Sequence, residues 1–218
     1  MIEAVVFDLD GVLIESEQVW DEARRELTEE LGGNWHAEAQ RDMMGMSSIE
    51  WSRYMRDELG IDLAPAQISD EVVRRLQSIY RERLPLLPGA REAVERLAAR
   101  WLLAVASSSN RPLIDVVLDL AGIAPLFRAT VSSEEVPRGK PAPDVYLEAA
   151  RRLGVDPTRS AAIEDSESGL LAAAAAGMRV IAIPNRAFPP GEEALAAADV
   201  VLGSLDKLTE PVVAGEHA

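Results

Sequence analysis

The 218-residue chain contains no cysteine, and that absence removes disulfides, thiolate metal sites and cysteine nucleophiles together. Histidine is almost as scarce. His36 and His217 are the only two, so a His-rich metal cluster is excluded and any metal must be a hard ion held by oxygen. Lysine occurs only as Lys140 and Lys207, which leaves arginine to carry nearly all the positive charge. That charge is outweighed: the formal net charge is −15 and the pI about 4.6. With no basic patch in the sequence, nucleic acid and anionic membrane surfaces are not expected partners. No apolar run approaches the roughly 20 residues of a spanning helix. The opening MIEAVVFDLD lacks the basic and long apolar regions of a secretion signal, so a soluble cytoplasmic protein is expected. A hydrophobic content of 48% suffices for a sizeable core and argues against disorder.

Short apolar runs recur along the chain. Ala4 to Phe7 (AVVF) suits a strand buried on both faces of a parallel sheet, and it ends in Asp8 and Asp10. Comparable runs stand at Leu102–Ala106, Ala129–Val131, Ala161–Ile163, Val180–Ile183 and Val200–Leu202. Helical patterns separate them at Ala90–Arg100, Pro112–Ala121, Pro143–Leu153 and Gly169–Ala176, with Gly154 and Gly177 where C-terminal caps belong. Strand and helix thus alternate from about residue 86, the pattern of a doubly wound α/β domain with a parallel sheet. Residues 15–85 show no parallel-strand run and instead carry amphipathic stretches at Gln18–Leu31, Ile49–Leu59 and Ser69–Leu84. The expected organisation is an α/β core formed by 1–14 and 86–218, with an all-helical insert at 15–85 closed by the proline-marked LPLLPG.

Four places carry residues able to do chemistry. Asp8 and Asp10 flank Leu9 at a strand end, with Gly11 letting the backbone turn. One such carboxylate can act as a nucleophile and the other can move a proton, although a lone acidic pair also describes a solvated turn. Ser107-Ser108-Ser109-Asn110 follows the second apolar run, where hydroxyls and backbone N–H groups can hold phosphate oxygens or simply form a turn. Lys140 stands in RGKPAPD as a compact point charge suited to a phosphate, or as an exposed loop lysine. Glu164 and Asp165 end the run AAI, where adjacent carboxylates can complete an oxygen shell around Mg²⁺ or Asp165 or Ser166 can cap the next helix.

In order and spacing, VVFDLDGVL, VASSSN, GKPAPDVY and IEDSESG resemble the four motifs of the haloacid dehalogenase (HAD) superfamily, across essentially the whole core. The insert after the first motif is similar to the cap of the subgroup containing β-phosphoglucomutase and sugar-phosphate phosphatases. The resemblance implies a Rossmann-like core with a helical cap domain. It also implies that Asp8 is the nucleophile and Asp10 the general acid, then base. Leu9, Asp10 and Ser108 would offer amides to the phosphoryl group, while Ser107 and Lys140 hold its oxygens. Asp8, the carbonyl of Asp10 and Asp165 would ligate Mg²⁺, with Glu164 in its inner or outer shell.

Asp10 favours phosphoryl transfer over dehalogenation, because an alkoxide leaving group needs a proton and a halide does not. A cap without lysine excludes Schiff-base chemistry. Ser48 stands where the mutase pattern has an arginine and Trp20 where it has a histidine, so hydrolysis is expected, with a phosphosugar isomerase as the alternative and a non-catalytic phosphate-sensing protein as a third class. ESEQVW resembles the DSEPLW opening of some hexose-phosphate phosphatases. The expected substrate is therefore a small phosphorylated metabolite, a sugar phosphate above all. A monomer is compatible with this reading, which leaves the oligomeric state open. Within the cap, Trp20, Gly45, Met46, Ser47 and Ser48 are the candidate specificity residues. Trp20, Trp35 and Trp51 either wall a pocket or fill the cap's own interior; Met43, Met44 and Met46 pose the same choice. His36 reads as a surface residue.

Overall fold

The computed structural model describes residues 1–44, 46–185 and 188–216; Gly45 and His217 lie outside them. Six parallel strands form one sheet: β1 (Ala4–Phe7), β2 (Leu102–Ser107), β3 (Phe127–Ser132), β4 (Ser160–Glu164), β5 (Arg179–Ala182) and β6 (Val200–Val201). Their order is β3-β2-β1-β4-β5-β6. The chain runs outward to one side as far as β3 and then returns to the other side of β1 with β4. The order reverses between β1 and β4, so the crevice at their carboxyl ends is where a doubly wound sheet binds its ligand.

The apolar runs are continuous because both faces of the sheet are covered. Val5 and Phe7 of β1, Leu103 and Val105 of β2, and Ala161 and Ile163 of β4 pack into one cluster. Val6, Ala104, Ala106 and Ala162 point into the other. On the first face lie α5 (Ala90–Ala98) and α6 (Arg111–Ala121), and on the second α7 (Asp144–Leu153) and α8 (Glu167–Ala175). The alanines of α8, Ala172 and Ala173, are fully buried and let that helix approach the sheet closely. Gly154 closes α7 at φ 71°, and Gly177 follows α8 at φ 76°.

Among the described residues, four helices stand between β1 and α5: α1 (Glu17–Glu30), α2 (Ala39–Met43), α3 (Ser48–Asp57) and α4 (Pro65–Glu82). Of these, α2 escaped the sequence reading, because five residues are too few to display a helical period. The segment leaves and re-enters through a narrow neck. Ile14 pairs antiparallel with Leu86, and the amides of Glu15 and Leu87 donate to Pro85 and Leu13 at 2.8 and 2.9 Å. Its apolar faces join the same cluster as the adjoining sheet face, with Trp51, Met55, Leu59, Ile68 and Leu76 buried. Two short helices, α9 (Glu192–Ala196) and α10 (Glu210–Ala214), complete the described chain. No helix among the described residues is long and apolar enough to cross a membrane.

Candidate active site

Parallel pairing brings the ends of β1 and β4 level. Phe7 is in register with Ile163, so Asp8, whose amide donates to the Ile163 carbonyl at 3.0 Å, emerges beside Glu164 and Asp165. Oxygens of these three buried carboxylates lie within 4.8 Å of one another. Lys140 reaches the same point from the loop before α7, its Nζ donating to Asp8 Oδ1 at 2.8 Å and to Glu164 Oε1 at 2.6 Å. The ammonium also lies 5.0 Å from the Tyr146 ring centroid, and Tyr146 Oη donates to Glu164 Oε1 at 2.5 Å.

Burial is the dominant electrostatic fact here. It pushes the Asp8 carboxyl up to about 8, with Lys140 pulling the other way and the Glu164 and Asp10 carboxylates adding to the rise. Asp165 is raised well above the usual carboxylate range, first by burial and then by Glu164 and Asp8. Burial alone would lower Lys140, but the carboxylates of Asp8 and Glu164 outweigh it and hold the amine above its ordinary value. The cluster is thus short of positive charge, and its donors are hard oxygens. That donor set fits a hard divalent cation.

Two glycines make the cluster sterically possible. Gly11 adopts φ +77°, and a Cβ there would stand 1.9 Å from Asp165 Oδ2. A Cβ on Gly169 would stand 1.9 Å from Glu164 Oε1. Glu164 is fully buried and heavily used: besides Lys140 and Tyr146, it accepts from the Asp165 amide at 3.0 Å and from Ser166 Oγ at 3.2 Å. The cap of α8 is Ser166, which accepts from the Gly169 amide at 3.2 Å, leaving Asp165 to the cluster.

Asp10 has a different set of partners. Ser16 Oγ and Trp20 Nε1 donate to its Oδ1 at 2.5 and 3.3 Å, and Ser109 Oγ donates to its Oδ2 at 2.6 Å. These three donors fix the carboxylate between β1, the start of the insert and the loop after β2. Trp20 therefore ties the insert directly to Asp10. Ser107 is fully buried, its Oγ accepting from the Ser109 amide at 2.9 Å, while Ser108 and Ser109 line the cavity. Among the described residues, the amides of Leu9, Asp10 and Ser108 donate to no protein acceptor.

The strand ends and the insert enclose a cavity of about 370 Å³. Asp8, Asp10, Lys140 and Asp165 form its floor; Glu17, Trp20, Arg24, Gln40 and Trp51 face them, with Met43, Met44 and Met46. Trp20 and Trp51 meet edge to face at 5.8 Å, so both wall the cavity and pack within the insert. Trp35 packs against the core cluster outside the cavity lining, and exposed His36 contacts Tyr54 Oη at 3.1 Å. Of the cap residues singled out from sequence, Trp20 and Met46 line the cavity and Gly45 lies outside the described residues. Ser47 and Ser48 do not line it. Ser47 is spent at the start of α3, where its amide and hydroxyl both donate to Glu50. Ser48 Oγ donates instead to Glu134 Oε1 at 3.0 Å, after β3. Asn110 Nδ2 joins that contact at 2.8 Å and reaches Ser69 Oγ at 3.2 Å, so Glu134 and Asn110 fasten insert to core.

Comparison with known proteins agrees with this geometry. The family model for haloacid dehalogenase-like hydrolases matches residues 2–177. Hexitol phosphatase B of Escherichia coli strain K12 is 35% identical over 219 residues, covering 95% of each chain. A phosphorylated carbohydrates phosphatase of Thermotoga maritima is 31% identical over 202 residues, covering 92% of this chain and 94% of that one. The crystal structure of CbbY from Rhodobacter sphaeroides in complex with phosphate superposes with a TM-score of 0.86 at 32% identity, covering 95% of this chain and 96% of that chain. The motif order, the strand-end carboxylates and these matches lead to one conclusion: this chain belongs to the haloacid dehalogenase-like hydrolase family.

Proposed function

We propose that the protein is a Mg²⁺-dependent phosphatase that hydrolyses a small phosphorylated metabolite, a sugar phosphate, through a phosphoryl group carried on Asp8. The observation that carries the reading is the meeting of Asp8, Asp165 and Lys140 at the sheet's switch point, on the floor of a cavity large enough for such a molecule. The sugar-phosphate class is supported by the names of the Escherichia coli and Thermotoga maritima relatives. In this reading residues 15–85 act as a cap over a core of 1–14 and 86–218, a division supported by the neck at Ile14 and Leu86.

Asp8, Asp165 and the backbone carbonyl of Asp10 are the residues to hold Mg²⁺, which supplies positive charge that keeps Asp8 ionised and offsets the charge of the phosphoryl oxygens. Asp8 attacks phosphorus through one carboxylate oxygen, and the bond from phosphorus to the sugar oxygen breaks. Protonated Asp10 gives its proton to that leaving oxygen, held in place by Ser16, Trp20 and Ser109. Asp10 then takes a proton from water as the water attacks the phosphoryl group, and the bond to Asp8 breaks to release inorganic phosphate. Lys140, the Ser107 hydroxyl and the amides of Leu9, Asp10 and Ser108 hold the phosphoryl oxygens throughout. Glu164, its oxygens occupied by Lys140, Tyr146, the amides of Asp165 and Ser166 and the Ser166 hydroxyl, positions Lys140 and the turn carrying Asp165.

The test is phosphate release from p-nitrophenyl phosphate and a panel of sugar phosphates, with and without Mg²⁺. Release that needs Mg²⁺, stops on chelation and is absent in Asp8→Asn is the expected result. Undiminished release from Asp8→Asn would overturn the proposal.

A further inference from the structure

One side chain on the cavity wall has no place in the chemistry above. Arg24 lies two turns beyond Glu17 on α1, so Glu17, Trp20 and Arg24 share the helix face that meets the cavity. Its residue exposure is 4%, which makes it a buried cation. Buried charges are ordinarily paired, because desolvation is costly. Arg24 forms no ion pair with any described acid, although the chain has 37 acidic residues and Arg75, Arg111 and Arg152 each contact carboxylates. Its Nη1 donates to the neutral Gln40 Oε1 at 3.2 Å, while Gln40 donates its own amide to Glu17 Oε2 at 3.0 Å. Its Nε, also buried, has no partner. Its Cζ lies 4.4 and 4.9 Å from the ring centroids of Trp20 and Trp51, which hold the guanidinium in place without neutralising it. Burial pulls its pKa down to about 10, and at neutral pH it stays charged.

We propose that Arg24 forms a second anion subsite on the insert wall, selecting phosphorylated substrates that carry another oxyanion, a carboxylate or a second phosphate, away from the transferred phosphoryl group. A guanidinium with unspent N–H groups recognises a planar or tetrahedral oxyanion well. Because one cavity touches both Lys140 and Arg24, a single small molecule can meet the two charges from opposite walls. The inference deepens the phosphatase reading and rests on it.

The test compares matched substrates on the intact Mg²⁺-loaded protein: 6-phosphogluconate against sorbitol 6-phosphate, which differ by a carboxylate at the far end, and fructose 1,6-bisphosphate against fructose 6-phosphate. The wild type is expected to favour the member with the additional anionic group in at least one pair by about tenfold or more in kcat/KM, and the pair that responds identifies carboxylate or phosphate as the group bound. That ratio is read without any variant. Arg24→Gln is then expected to reduce it by about tenfold, chiefly through KM, with Arg24→Lys keeping part of it. No preference in either pair overturns the subsite, as does an equal loss for both members in Arg24→Gln. Absence of turnover with all four compounds and with p-nitrophenyl phosphate would instead overturn the phosphatase reading beneath it.

Discussion

The two walls of the cavity are built on opposite principles. The floor is a set of carboxylates and one ammonium fixed where strands end, with almost no freedom: Glu164 is fully buried, and glycines at 11 and 169 leave room only for the acids in place. The insert wall is aromatic and thioether surface with a single buried guanidinium, mounted on helices and joined to the core through a neck and the Glu134 contacts. A floor built this way can repeat one reaction on any phosphate ester. In the proposed reading, a wall built this way selects which ester arrives.

Substitutions should separate the walls by the kinetic constant they affect. The largest effect belongs to Asp8→Asn, which should lower kcat by about 10⁴-fold or more for every substrate, because it removes the proposed nucleophile; a steady-state comparison over several esters checks this. Lys140→Met should come next, with a loss of about 10²- to 10³-fold in kcat that is again similar across substrates. A loss confined to one substrate would place Lys140 on the selecting side and blur the distinction.

The floor should also announce itself in stability. Asp8 is raised from 3.8 to about 8, so without metal the folded state retains a proton that the unfolded state has given up, and stability falls as pH climbs through that window. In the proposed reading, Mg²⁺ bound at this cluster would take over the proton's role. The rise in Tm on adding Mg²⁺ should therefore grow between about pH 6 and about pH 8, and differential scanning calorimetry that finds the same rise at both would count against the floor as a cation site. On the insert side, Trp51→Ala should cost about 3–5 kcal/mol, since Trp51 is only 2% exposed and supports both Trp20 and Arg24; denaturant unfolding measures it. The smallest effect expected is that of Glu134→Ala, about 1 kcal/mol of stability from lost contacts to Ser48 and Asn110, with KM rising more than kcat falls.

This contrast also explains what could be read from sequence. Asp8, Asp10, Glu164 and Asp165 are legible because each closes or follows a short apolar run, and parallel topology brings such ends to one edge without further information; Lys140 is legible instead as one of two lysines, set in RGKPAPD. The alternation of strand and helix after residue 86 and the helical insert were legible for the same reason, as periodicity is local. The insert wall was legible only in part: Trp20, Trp51, Met43, Met44 and Met46 stand out in the sequence and line the cavity, but its polar residues do not stand out. Glu17, Arg24 and Gln40 look like ordinary surface charges and amides on amphipathic helices, and only tertiary packing turns them toward the floor. Arg24 did carry a faint signal, standing seven residues after Glu17 and four after Trp20 on one helix face. Ser48 drew attention by its place in a motif, yet its hydroxyl is committed to Glu134. Tyr146 and Ser16 carry no local pattern that marks a hydrogen bond to Glu164 or Asp10, and Ser109, legible as part of the serine run, gives its hydroxyl to Asp10 instead of to a phosphate.

The most direct test of the whole account is to trap the floor in mid-reaction. The Mg²⁺-loaded protein is mixed with p-nitrophenyl phosphate, quenched in acid within the first turnover, digested and read by mass spectrometry. The account predicts one phosphoryl group on the peptide containing Asp8, labile to hydroxylamine. Label on another residue, or turnover with no labelled peptide, would contradict it.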